Sequence, residues 1–124
     1  MTDWLSPNPF ESVEQFSERI KRKYGLSVFR VYEDSQGHLK LDAIEVPRGE
    51  RKRGLGAAAM RELTDYADQR GKLVRLVPAS RDPHHGTTSR RRLVRFYKRF
   101  GFVENKGRHK DFTLGAAEMY RVPR

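Results

Sequence analysis

The residues best suited to chemistry by type and spacing are Arg51-Lys52-Arg53-Gly54-Leu55-Gly56-Ala57-Ala58-Ala59. They follow an alternating apolar segment and open a stretch nearly free of β-branching, which predicts a strand-to-helix turn. At such a turn several backbone N–H groups lack intrahelical partners. With the positive end of the helix dipole and the nearby cations, they form a site for a phosphate or pyrophosphate group. Glycine at 54 and 56 removes the Cβ atoms that would hold a ligand away from the backbone. The plainer alternative is a glycine loop that merely starts a helix. Gly54-x-Gly56-x-x-Ala59 also formally matches the dinucleotide fingerprint, but that motif wants a tight turn directly after its strand and an acidic residue about twenty positions on. Here Pro47 to Arg53 separate Val46 from Gly54, and the next strand ends in Pro78-Ala79-Ser80 without an acid. No Gly-Lys-Ser/Thr follows, so the turn is not a Walker loop.

The elements that must position this turn can be read from the pattern of apolar residues. Phe10 to Tyr24 reads as a first helix, with Phe10, Val13, Phe16 and Ile20 at helical spacing, Pro9 at its start and Gly25 as its stop. Leu26 to Glu33 and His38 to Val46 read as an antiparallel hairpin around Asp34-Ser35-Gln36-Gly37, and a change of phase near Ala43-Ile44 predicts a bulge. Leu55 to Arg70 is a helix with Leu55, Ala59, Leu63, Tyr66 and Ala67 on one face and Gly71 after it. Leu73 to Val77 is a short strand, and the strand–helix–strand unit from 39 to 77 is long enough for a right-handed parallel crossover. A loop over 79–87 precedes a third helix capped by Thr87 or Thr88 and running to about Arg99. Strands begin at Phe102-Val103 and span Glu118 to Val122, with a polar loop from Lys106 to Asp111. The expected order is α-β-β-α-β-α-β-β, an α/β (α+β) mixed sheet with helices on both faces.

Composition narrows the function. A chain of 124 residues makes one domain, here 1–124, with a single core. No apolar run approaches the roughly 18 residues of a membrane span. Met1-Thr2-Asp3-Trp4 has neither the basic nor the apolar region of a secretory signal, and with no cysteine at all the expectation is a cytoplasmic protein. The absence of cysteine also removes disulfides, zinc thiolate sites and thiol catalysis. The net charge of +10 predicts attraction to polyanions, and it is clustered in 48–53, 90–99 and 106–110.

A strand ending in Ile44-Glu45-Val46, then Arg51-x-x-Gly54-x-Gly56-Ala57, then Phe96-Tyr97-Lys98-Arg99-Phe100-Gly101-Phe102 before a closing strand pair, resembles the GNAT superfamily of acyl-CoA-dependent N-acetyltransferases over roughly residues 38 to 122. The resemblance implies a GNAT-like fold and acetyl-CoA (coenzyme A) as acyl donor. The pyrophosphate would lie on Arg51, Lys52, Arg53, Gly54, Leu55, Gly56 and Ala57. The pantetheine arm would lie beside Ile44, Glu45 and Val46 as an added strand, where a backbone N–H would polarise the thioester carbonyl. The acceptor would be a primary amine on a small molecule, a protein or an aminoacyl-tRNA, and the basic patches favour an acidic or nucleic-acid-associated one. A homodimer is the expectation for a small enzyme of that type. Tyr97 matches the family tyrosine that protonates the leaving thiolate, although its spacing also suits a core aromatic. Asp42, Glu45, His84 and His85 are candidate bases, each equally readable as a surface residue. Where many members carry an Asn that contacts the cofactor arm, this chain has Arg90. The alternative is a basic nucleic-acid-binding or regulatory module on the same fold without turnover, because 90–99 is a basic helix with aromatics.

Overall fold

The computed structural model describes residues 10–47, 49, 54–78, 90–115 and 118–124. In chain order they form α1 (Val13–Lys23), β1 (Val28–Glu33), β2 (Leu39–Glu45), α2 (Leu55–Gln69), β3 (Val74–Leu76), α3 (Arg90–Lys98), β4 (Val103–Glu104) and β5 (Met119–Arg121). This is the predicted order. The loop over 79–87 and the Thr87 or Thr88 cap lie outside the described residues.

Capping chemistry sets the first boundary. Ser12 Oγ accepts from Gln15 N at 3.1 Å and Gln15 Oε1 accepts from Ser12 N at 2.9 Å, a reciprocal capping box. The helix therefore begins at Val13, not at Phe10, and Phe10 is 91% exposed instead of lying on the apolar face. Val13, Phe16 and Ile20 are buried as their spacing predicts. In the hairpin turn, Asp34 Oδ1 accepts from Gln36 N at 2.9 Å and His38 N at 3.0 Å, and Gly37 takes a positive φ of 80°.

The sheet has five strands in the order β1-β2-β3-β5-β4. β2 and β3 are parallel and every other pair is antiparallel, so β4 runs parallel to β3 across the intervening β5. The crossovers β2–α2–β3 and β3–α3–β4 thus step the same way across the sheet. Right-handed connections that step the same way place their helices on the same face. Arg121 of β5 shows that they do: its guanidinium donates to Asp68 of α2 at 2.7 and 3.0 Å and to the Phe100 carbonyl after α3 at 2.8 Å. The Phe16 ring of α1 stacks on Tyr66 of α2, with centroids 4.2 Å apart. The described helices therefore share one face, and the expectation of helices on both is corrected.

That face is apolar, with Phe29, Val31, Leu41, Leu76 and Met119 buried against the helices in one core. The opposite face is polar. There Arg75 is held between Asp34, at 3.0 Å, and Glu118, and Lys40 Nζ lies 3.8 Å from Glu118. Among the described residues no helix covers this face. The chain after β4 is pinned by Asn105, which is 2% exposed: it accepts from Asp111 N at 2.6 Å and donates to the carbonyls of Asp111, Leu114 and Gly115.

Candidate active site

β2 outruns its parallel neighbour. Leu39, Lys40 and Leu41 pair with Val74, Arg75 and Leu76, but β2 continues to Glu45 paired with β1 alone. The cause is a bulge: Arg30 stands opposite Ala43 while Val31 stands opposite Leu41, leaving Asp42 as the extra residue. Before it, odd-numbered residues of β2 aim their backbone groups at β3, since Leu39 N donates to Leu73 O at 2.8 Å. The extra residue shifts that alternation, so past it the even-numbered Ile44 and Val46 face the β3 side, where β3 no longer reaches. The outer edge of β1 agrees. Ser17 Oγ donates to Phe29 O at 2.8 Å and accepts from Val31 N at 3.3 Å, so Phe29, opposite Ile44, turns its backbone away from β2. The result is an opening between β2 and β3 lined on one side by the N–H and C=O of Ile44.

Helix α2 starts beside it. Gly54 is its N-cap in the left-handed region, φ 71° and ψ 19°, which favours glycine. Among the described residues no side chain caps the helix, and its first turn holds no acidic residue; the first intrahelical bond is Ala58 N to Gly54 O at 3.0 Å. The N–H groups of Leu55, Gly56 and Ala57 thus have no intrahelical acceptor. A Cβ added at Gly56 would lie 3.7 Å from Val46 Cγ2 and 3.8 Å from Phe96 Cζ. The end of β2, the first turn of α2 and α3 therefore converge on Gly56, at the spot where the missing side chain would sit.

Tyr97 follows Phe96 on α3. Its ring lies edge-on to Phe96, centroids 5.2 Å apart, and to Phe102 at 6.0 Å, and the residue is 7% exposed. Burial pushes its hydroxyl pKa up to about 12. Among the described residues that hydroxyl makes no hydrogen bond.

The remaining sequence candidates fall as follows. Leu55 and Ala57 are half-buried on the first turn of α2, and Ile44, Glu45 and Val46 are half-buried at the end of β2. Glu45 uses its carbonyl to accept from Ser27 N at 2.9 Å, and its side chain alternates with Ile44 onto the helix-free face. Asp42 accepts from Arg30 Nη1 at 3.1 Å. Arg90 Nη1 donates to Pro78 O at 2.9 Å, tying the first turn of α3 to the residues just after β3. Arg51, Lys52, Arg53, His84 and His85 lie outside the described residues. Two features went unread in the sequence. Phe96 as a wall at Gly56 had no signal beyond helical spacing, whereas Asp42 as the bulge lay one residue from the phase change that announced it.

Among the described residues, a parallel strand pair opens at a bulge beside the N-terminus of α2. The model of the acetyltransferase (GNAT) family matches residues 18–102, well over half of the chain, so the chain belongs to that family. The match contains the opening, the start of α2 and Tyr97. The family transfers acyl groups from coenzyme A thioesters to amine acceptors. No curated protein and no solved structure matches the chain. Among the described residues no helix is long and apolar enough to cross a membrane.

Proposed function

We propose that this chain, acting as one domain, transfers the acetyl group of acetyl-CoA to a primary amine. The observation that carries this is the convergence at Gly56. There a ligand can approach the free N–H groups of Leu55, Gly56 and Ala57 because no Cβ and no capping side chain stands in the way. The residues fit the donor's chemistry: an uncapped N-terminus for the pyrophosphate and an unpaired strand edge for an amide-bearing arm. Arg51, Lys52 and Arg53, which directly precede Gly54 in the sequence, bring positive charge suited to that phosphate. When bound, acetyl-CoA supplies an activated acyl group as a thioester, which an amine can attack without an enzyme nucleophile.

In this reading the Ile44 N–H donates toward the carbonyl oxygen as negative charge gathers there, a fixed dipole that needs no reorganisation. Tyr97 holds its proton at working pH and gives it to the departing sulfur. Arg90 keeps the β3 side of the opening in place through Pro78. The test is release of free thiol from acetyl-CoA in the presence of a panel of primary amines. An amine-dependent signal that Tyr97→Phe lowers about a hundredfold, with acetyl-CoA affinity unchanged, supports these roles. Equal turnover in Tyr97→Phe returns Tyr97 to the core.

A further inference from the structure

Away from the opening, the least expected surface is the outer arc of α3. Its inward positions are Leu93, Val94, Phe96 and Tyr97. Its outward ones, Arg91, Arg92, Arg95 and Lys98, are all cationic and exposed, as is Arg99 just after it. Lys98 pairs with Glu104 and the Arg99 guanidinium lies over the Phe96 and Phe100 rings, but no such contact accounts for Arg91 or Arg95 among the described residues. Like charges spaced three and four apart destabilise a helix, and cations in the first turn oppose its dipole. Arg91 and Arg95 make no ion pair among the described residues. Glu104 Oε2 lies 3.3 Å from Lys98 Nζ and 3.4 Å from Lys106 Nζ, which joins the arc to the loop after β4. That loop is itself basic and exposed at Lys106, Arg108 and Lys110. It also presents Phe112, 85% exposed, with Lys110 Nζ 5.1 Å from the ring centroid. Asn105 holds Asp111 and Leu114 on either side of Phe112, so the ring is displayed by a pinned loop.

We propose that the outer arc of α3 and the loop over 106–112 form a docking surface for single-stranded RNA. The cations follow the phosphates, and Phe112 stacks on an unpaired base. The aromatic face decides between polyanions: an acidic peptide gives it nothing to stack on, and a duplex hides its bases. The proposal uses none of the residues assigned to acetyl transfer, so it stands apart from that reading.

The test is fluorescence anisotropy of a labelled, unstructured RNA oligonucleotide with the full chain over a range of salt. A duplex of equal length and polyglutamate serve as the other arms. Replacing Arg91, Arg95 and Arg108 by Gln together is expected to weaken RNA binding at least about tenfold and to flatten the slope of log K against log salt by about 2. Replacing Lys21, Arg22 and Arg61 by Gln removes the same charge elsewhere and is expected to change affinity less than about threefold. Phe112→Ala is expected to weaken the single strand about tenfold, leaving the salt slope and the duplex untouched. Acetyl-CoA titration and the melting temperature, unchanged in all three, separate loss of RNA binding from loss of the acetyl-donor site or of the fold. The proposal is overturned if the control triple weakens RNA as much as the first, if polyglutamate competes as well as RNA, or if Phe112→Ala has no effect.

Discussion

The Tyr97 hydroxyl ends a ring packed against Phe96 and Phe102, and burial lifts its pKa from an ordinary 10.0 to about 12. The unfolded chain loses that proton near the ordinary value, while the folded chain keeps it. Between the two the unfolded state binds fewer protons, so stability is full below about pH 10 and falls as pH rises toward 12. The fall attributable to this group is about 2–3 kcal/mol. Unfolding free energies from urea titrations at about pH 9 and about pH 11 are expected to drop by about 1–1.5 kcal/mol less in Tyr97→Phe than in the parent, the part of that fall which lies below pH 11. An identical drop in both would mean that the phenol is solvated. At this scale the sequence was half legible. Helical spacing placed Tyr97 correctly on the inward side of α3, but its partners Phe96 and Phe102 and the freedom of its hydroxyl follow from how the chain turns at Gly101, which spacing alone does not describe.

At the scale of elements, Gly56 separates stability from ligand access. Its Cβ contacts in the folded chain would be ordinary ones, 3.7 and 3.8 Å, and glycine is a poor helix former. Gly56→Ala is therefore expected to raise stability by about 0.5–1 kcal/mol in denaturant unfolding. The same variant is expected to lower acetyl-CoA affinity at least about tenfold, because the added methyl fills the approach to the helix N-terminus. Stability and affinity moving together would remove Gly56 from the site. Asn105 tests the loop after β4. Asn105→Ala strands Asp111 N and three carbonyls, and is expected to cost about 2–3 kcal/mol in the same assay. Faster amide exchange should be confined to 106–115. Element types and order were legible because the helices and the β1–β2 hairpin carry their own periodicity and glycine stops bound the helices. The first boundary was not: the apolar spacing runs back to Phe10, while the backbone bonds of Ser12 and Gln15 fix the start at Val13.

For the molecule as a whole, the face that the helices occupy depends on β5 inserting between β3 and β4. That pairing joins residues far apart in the chain, and no local pattern announces it. Once β5 is placed, the two crossovers step the same way and the helices must share a face, leaving ion pairs around Arg75 to finish the other. The opening between β2 and β3 was legible in outline, since the phase change near Ala43-Ile44 is the bulge that produces it. The net charge of +10 bears on the whole surface, so any test of the donor site must separate recognition from bulk attraction. Calorimetric titration with acetyl-CoA at physiological salt, with ATP as the polyanion control, does this most directly. The predicted result is micromolar binding of acetyl-CoA with negligible binding of ATP. Equal binding of the two, fading together as salt is added, would contradict an acetyl-CoA site at the opening.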